Sequence, residues 1–322
     1  MVYGIGETPD GHIRYQWLKE AYPQHDIRLV ANLFTDDEDS GSSLAWAQYT
    51  KQILKEDMPD VVFSSEDYGL RWATAMHCEH VMVDRHRSLY AISGTQIRAD
   101  IYGYWHMIHP IARRTYVKKI LLVGAESVGK TTLAINLAKH YGTYFVPEYG
   151  RIYVEENGID DDVKREIFPA ILNEQPRMEE ETLKIANKIL ICDTDLYTTY
   201  LWHQKWQEGD SLGELILQEA ERRHTFYDLV FLCDHVGTDW IDDGLRDQKD
   251  TRAWFTSKLD KYYFQKHHHK GYCLTGNWDE RWEKAIDRIE NLLSATSANR
   301  NIHTNDTGSV GILPISTVGH SY

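Results

Sequence analysis

Residues 124 to 131 read GAESVGKT, two glycines with four residues between them, then a lysine and a threonine. That spacing suits a phosphate chain. Gly124 and Gly129 let the backbone bend until successive N–H groups point inward at phosphate oxygens. Ser127 and Thr132 add polar groups, and a helix beginning there adds the positive end of its dipole. Lys130 then reaches the β- and γ-phosphates of ATP, and the Thr131 hydroxyl is placed to ligate Mg²⁺. The plain alternative is a structural glycine-rich turn.

The flanking residues supply the elements such a loop needs. Ile120 to Val123 form an apolar, β-branched strand, and Thr131 to His140 continue as a helix carrying Leu133, Ile135 and Leu137. Further on, ILICDTD puts Asp193 and Asp195 just past the carboxyl end of a buried strand, where ligands of open α/β sheets collect. A carboxylate there can hold Mg²⁺ or take the proton of an attacking hydroxyl, so Asp193 is the first candidate for both roles and Asp195 a candidate substrate ligand. Both residues also suit the cap of a following helix.

Two more clusters bear chemistry. VPEYGR presents Glu148, Tyr149 and Arg151 on a short loop, a set suited to a polar substrate such as a ribose, or to a surface salt bridge. WIDDGLRDQKDTR brings Arg246 and Arg252 into one segment, where they could close over a nucleotide and stabilise the transferring phosphoryl group; a charged exposed loop is the alternative. His267, His268 and His269 read as solvated residues before the last strand, with metal binding as the alternative.

Composition bounds these readings. A length of 322 residues allows two domains, and 42% hydrophobic with 26% charged residues describes a globular chain. No apolar run approaches the roughly 20 residues of a spanning helix, and the N-terminus lacks a secretory pattern, so a cytoplasmic protein without a membrane partner is expected. A net charge of -14 argues against a nucleic-acid partner. Cys78, Cys192, Cys233 and Cys273 are widely spaced and read as small hydrophobes in a reducing compartment. Oligomeric state is left open, homo-oligomers included.

Strand and helix patterns alternate throughout, the mark of α/β architecture with parallel strands. The first part reads as helix 13–21, strand 27–33, helix 44–54, strands 60–64 and 81–84, and a helix over 95–107. The second opens with the phosphate loop and continues through strands at 188–192, 227–233 and 271–274. Its helices are expected at 161–187 (interrupted near Pro169 and Pro176), 212–223, 252–266 and 279–293. Domains are therefore expected at 1–116 and 117–295, with 296–322 a disordered tail.

Taken in order, GAESVGKTT, PEYGR, ICDTD and DDGLR resemble the kinase half of the bifunctional NAD-salvage proteins of the NadR type. VVFSSEDYG (61–69) and VDRHRSLYAISGTQIR (83–98) resemble that family's nicotinamide mononucleotide adenylyltransferase domain, so the likeness covers about residues 12–293. It implies a partial Rossmann-like nucleotidyltransferase domain followed by a P-loop kinase domain, with ATP and Mg²⁺ as cofactors. Nicotinamide riboside is the implied substrate and nicotinamide mononucleotide a second one. It also implies that Ser93, Thr95 and Arg98 bind ATP phosphates at a helix start.

The chain departs from that family at its beginning. Members open with a strand and a G-x-F-x-P-x-H-x-G-H-like segment, whereas Pro9 stands here at the first histidine position, the Gly11–His12 pair reads as a chance match, and the preceding strand reads as absent. A shortened nucleotidyltransferase domain is the expectation, with no counterpart of the DNA-binding segment some members carry. Phosphorylation of nicotinamide riboside is the leading reading. The alternatives are a bifunctional enzyme that also makes NAD, and a non-catalytic NAD- or ATP-binding sensor.

Overall fold

The computed structural model describes residues 2–3, 9–31, 40–158, 161–207, 211–236 and 251–298. The expected tail, apart from its first three residues, lies outside that set, as does the segment containing Arg246. Two compact units divide the chain. The first takes Met1–Arg98 and His106–Ala112, and the second takes Ala99–Trp105 and Arg113–Tyr322. In sequence, Ala99–Trp105 thus groups with the later residues and His106–Ala112 with the earlier ones.

In the first unit, β1 (Val2–Tyr3) pairs in parallel with β2 (Val30–Ala31), and α1 (Gly11–Ala21) lies between them in sequence. The strand expected to be absent is therefore present; two residues are too few to leave a period in the sequence. Asp10 caps α1, accepting from the His12 N–H at 2.8 Å, so Gly11 and His12 open a helix that follows a strand. Next come α2 (Ser40–Leu54), β3 (Val61–Ser64), α3 (Tyr68–Met76) and β4 (Glu79–Met82), with β3 and β4 parallel.

The helix expected over 95–107 is shorter. It runs as α4 (Gly94–Ala99) and stops where the Asp100 carboxylate accepts from the Gly103 N–H at 2.9 Å, a local bond that competes with helix propagation. A 3₁₀ turn at Trp105–Met107 and α5 (Pro110–Arg113) follow.

The second unit is built on β5 (Lys118–Gly124), α6 (Lys130–Tyr141), β6 (Phe145–Val146), α7 (Tyr149–Asn157) and α8 (Asp161–Leu183). It continues through β7 (Ile189–Asp193), α9 (Leu196–Trp206), α10 (Ser211–Arg223) and β8 (Leu229–Cys233). The last elements are α11 (Arg252–Asp260), which runs on as a π-helical stretch over Lys261–Lys266, then β9 (Gly271–Leu274) and α12 (Trp278–Ala298). Its five strands lie in the order β6-β7-β5-β8-β9, all parallel. Ile120–Val123, Ile189–Cys192 and Leu229–Cys233 are buried throughout, as strands covered on both faces must be. β5 lies between β7 and β8, so the chain switches direction across the sheet at its carboxyl end, where a ligand crevice forms.

α8 runs unbroken through Pro169 and Pro176, contrary to the expected interruptions. Each proline costs a helix interior about 3 kcal/mol. Against this, α8 buries Ile167, Phe168, Ile171, Gln175 and Glu179. Glu179 anchors it to the sheet and to α10, accepting from Tyr227 Oη (2.8 Å), Arg223 Nη2 (3.1 Å) and Lys119 Nζ (3.4 Å).

Candidate active site

The loop between β5 and α6 has the backbone its two glycines allow. Gly124 has φ +151°, and a Cβ there would lie 2.5 Å from the Cys233 carbonyl oxygen of the neighbouring strand. Gly129 has φ +85° and precedes the first turn of α6, while Ser127 holds a left-handed φ of +56°. Two arginines brace the outer side. Arg252 Nη2 donates to the Ser127 carbonyl at 3.1 Å, and Arg281 Nη1 to the Val128 carbonyl at 3.2 Å. Because a trans peptide points its N–H opposite its C=O, these bonds turn the Val128 and Gly129 amides the other way. Lys130 Nζ donates to the Ala125 carbonyl at 2.9 Å, folded back on the loop.

Thr131 Oγ1 donates to Asp193 Oδ2 at 2.5 Å, joining the first turn of α6 to the end of β7. The other carboxylate oxygen, Asp193 Oδ1, is buried without a hydrogen-bond partner. Burial pushes the Asp193 pKa up, while Lys130, the Thr131 bond and Arg151 oppose the rise. A buried carboxylate oxygen with nothing to accept from is costly, and a divalent cation is the group that would offset that cost.

Glu148, Gly150 and Arg151 line the same cavity as the loop, whereas the Tyr149 side chain packs on Tyr153 at 6.2 Å. The short loop expected there is instead the start of α7, with Glu148 as its N-cap. Gln175 of α8 fixes it, accepting from the Tyr149 N–H at 2.8 Å and donating to the Pro147 carbonyl at 3.3 Å. Desolvation raises the Glu148 pKa; Lys130 pulls it down, Asp193 pushes it up, and Arg151 pulls it down again.

Two expected roles change. Asp195 is the N-cap of α9, and its carboxylate accepts from the N–H groups of Tyr197 (3.0 Å) and Thr198 (3.1 Å) and from the hydroxyls of Thr198 and Tyr263. Both of its oxygens are thus engaged in capping α9 and in holding Tyr263. Arg252 is 6% exposed and bonded to the phosphate loop from behind, so it braces the loop where a mobile lid residue was expected. Arg246 lies outside the described residues. Ser93 precedes α4, Thr95 lies in its first turn and Arg98 in its last. Ser93 Oγ accepts from the Gln96 N–H (3.1 Å), Gln96 Oε1 accepts from the Ser93 N–H (2.8 Å), and Arg98 donates to Thr95 Oγ1 (3.3 Å).

Aromatic side chains form a further part of the cavity wall, beside Val154, Ile167, Ile171 and Gln175. Phe168 of α8, Trp202 and Trp206 of α9 and Phe255 of α11 line it with Thr194, Thr198 and Thr199. Trp202 packs at 5.5 Å on Trp206 and at 4.5 Å on Phe255, and Phe168 at 5.8 Å on Trp206. None of these was singled out from sequence. The tryptophans at i and i+4 of one helix are the signal that could have found them, since that spacing puts both on one face. Arg281 was missed as well: besides Val128 it donates to the carbonyls of Gly276 (2.8 Å), Asp234 (3.0 Å) and Val236 (3.2 Å).

A parallel five-stranded sheet with this loop at the carboxyl end of its central strand defines a P-loop nucleotide-binding α/β protein. The chain belongs to the AAA domain family (AAA_28), whose model matches residues 119–281, just over half of its length. It is similar to the trifunctional NAD biosynthesis/regulator protein NadR of Escherichia coli K12, at 30% identity over 251 residues. The same protein of Salmonella typhimurium LT2 is 28% identical over 251 residues. Each match covers 75% of this chain and 60% of the relative, so the chain spans less than two thirds of their length. A crystal structure of NadR in complex with NR shares the fold, with a TM-score of 0.72 at 21% identity over 91% of this chain and 87% of that one. NadR in complex with NAD and AMP-PNP gives the same TM-score, 0.72, and the same coverage at 20% identity.

Proposed function

We propose that the chain is an ATP-dependent kinase that transfers the γ-phosphoryl group to the 5′-hydroxyl of nicotinamide riboside, making nicotinamide mononucleotide in NAD salvage. One observation carries this reading: a single cavity is lined by the phosphate loop, by the polar pair Glu148 and Arg151, and by an aromatic wall of Phe168, Trp202 and Trp206. A nucleoside kinase needs all three, a place for the phosphates of ATP, groups for the sugar and a flat apolar surface for the base. The similarity to NadR proteins, one of them solved with NR, supports the choice of base.

The loop amides and Lys130 hold the β- and γ-phosphates once the ammonium leaves the Ala125 carbonyl. Thr131 and Asp193 are the residues that would hold Mg²⁺, and the unpartnered Oδ1 of Asp193 fits that role. When bound, the ion neutralises phosphate charge. Glu148 is the better candidate to take the hydroxyl proton. It lines the cavity and its pKa is raised, while Asp193 is tied to Thr131. Arg151 supplies positive charge beside it. Catalysis is then mostly positioning and charge neutralisation. Such a kinase works in the cytoplasm, beside its ATP, and no described helix is long and apolar enough to cross a membrane.

A panel of ribosides with ATP and Mg²⁺, scored by ADP release, tests the substrate. Nicotinamide riboside is expected to exceed adenosine, cytidine and thymidine by at least about tenfold in kcat/KM, a discrimination of about 1.4 kcal/mol. Equal turnover of a common nucleoside rejects the assignment.

The first unit supports a second activity, adenylylation of nicotinamide mononucleotide to NAD. β1 is followed in sequence by a capped helix opening on Gly11 and His12, and Ser93 precedes a second helix whose Arg98 reaches back to Thr95. ATP and nicotinamide mononucleotide given to the Lys130→Ala variant should yield NAD and pyrophosphate if this reading holds. Neither product forms if it does not.

A further inference from the structure

Away from the cavity, α10 and the turn after it meet the segment between the π-helical stretch and β9. Glu221 sits near the end of α10, His224 opens the turn that follows, and His267 and His269 come from the other segment. The sequence reading of residues 267–269 as three solvated imidazoles is only partly right. His268 is exposed and takes a left-handed φ of +50°, and the chain reverses there so that His267 and His269 both face His224.

The contacts are those of a donor set. One ligand atom each from Glu221, His224 and His267 lie within 4.8 Å of one another. His267 Nε2 is 3.1 Å from Glu221 Oε2 yet has no hydrogen-bond partner of adequate geometry. Lys266 bonds Oε1 of that carboxylate, which leaves Oε2 toward the imidazole. His224 and His267 stack at 3.8 Å, and His224 Nδ1 lies 3.0 Å from His269 Nε2. That last pair requires one nitrogen to donate and the other to accept. With His224 Nδ1 as the donor, its second nitrogen keeps a lone pair for a ligand, the arrangement by which an outer partner orients a metal-binding histidine.

We propose that Glu221, His224 and His267 form a binding site for a divalent transition metal of the zinc class, with His269 orienting His224. Two imidazoles and one carboxylate suit Zn²⁺ or Co²⁺ and leave a fourth position for water; Mg²⁺ and Ca²⁺ prefer all-oxygen shells. Tyr262 packs against His267 at 4.6 Å, and its neighbour Tyr263 bonds Asp195, the cap of α9. A metal here would thus fasten the segment that supports the helix carrying Trp202 and Trp206.

The test uses the untagged full chain, stripped with chelator and dialysed, then titrated with Zn²⁺ alone by calorimetry and with Co²⁺ by visible absorption. One equivalent of zinc should bind, with cobalt giving the intense bands of a four-coordinate site. His267→Ala and the near-isosteric Glu221→Gln should each weaken binding at least tenfold, while His268→Ala leaves it unchanged. A zinc-induced rise in unfolding midpoint should follow the same pattern. Zinc binding unaltered by both His267→Ala and Glu221→Gln, equal weakening by His268→Ala, or failure to bind would overturn the proposal.

Discussion

The two units treat their strands differently. In the second, the middle strands β7, β5 and β8 are buried along their length, and the sheet holds Gly124 so close to β8 that a methyl group would clash with a backbone oxygen. In the first, the described strands come as two separate pairs, and Phe63 in the middle of β3 is 68% exposed. A backbone in left-handed conformations persists only where its surroundings over-determine it. The phosphate loop has that support from β5, β8, Arg252 and Arg281. The phosphate-binding candidates of the first unit stand on a six-residue helix held by its own capping box.

Substitutions can break or sharpen this contrast. The largest stability effect should come from Glu179→Ala, which takes from Lys119 its buried carboxylate and leaves Arg223 only the longer contacts to Glu180 and Glu219; a loss of about 3–5 kcal/mol is expected by urea denaturation. A change below about 1 kcal/mol would mean that the buried network does not hold the second unit together.

Asp193→Asn should separate stability from function. Turnover should fall about a hundredfold or more, yet the variant should melt higher than the wild type at neutral pH. The sign follows from burial. Asp193 and Glu148 both have folded pKa values above their unfolded ones, so the folded chain keeps protons that the unfolded chain has released. Stability then falls as pH climbs from the ordinary carboxylate range toward the raised values, and the asparagine removes the Asp193 share of that fall. Melting curves across that range decide it; a lower midpoint for Asp193→Asn throughout would contradict the assignment.

Arg281→Lys keeps the charge but loses the fork that reaches four carbonyls. The KM for ATP should rise about tenfold, roughly 1.4 kcal/mol, with the riboside KM little changed. Equal rises in both would show that the brace shapes the whole cavity. At the small end, Phe63→Ser should shift stability by no more than about 0.5 kcal/mol, because the ring is already in water. A larger loss would show that β3 is as dependent on packing as β5.

Legibility followed the same divide. The phosphate loop could be read because its chemistry is local: two glycines, a lysine and a threonine at fixed offsets between an apolar strand and a helix. The place of Asp193 could be read because it ends a buried apolar run. The aromatic wall was only partly legible: the i, i+4 spacing of Trp202 and Trp206 puts both on one helix face, whereas Phe168 and Phe255 come from two other helices and join them only after folding. Arg281 bonds Val128 from far along the chain, a contact that no periodicity announces. Pro169 and Pro176 misled because burial along α8 outweighs their local cost, and β1 was missed because two residues make no pattern.

The central claim is that the loop between β5 and α6 grips ATP so that its terminal phosphoryl group passes to a riboside. Its most direct test is single-turnover conversion of nicotinamide riboside by the wild type and by Lys130→Ala, with ADP and nicotinamide mononucleotide measured together and folding checked by circular dichroism. Both products should form in equal amounts with the wild type and fall at least a hundredfold, about 2.7 kcal/mol, in a folded variant. Undiminished conversion by Lys130→Ala, or ADP formed without nicotinamide mononucleotide, would contradict the account.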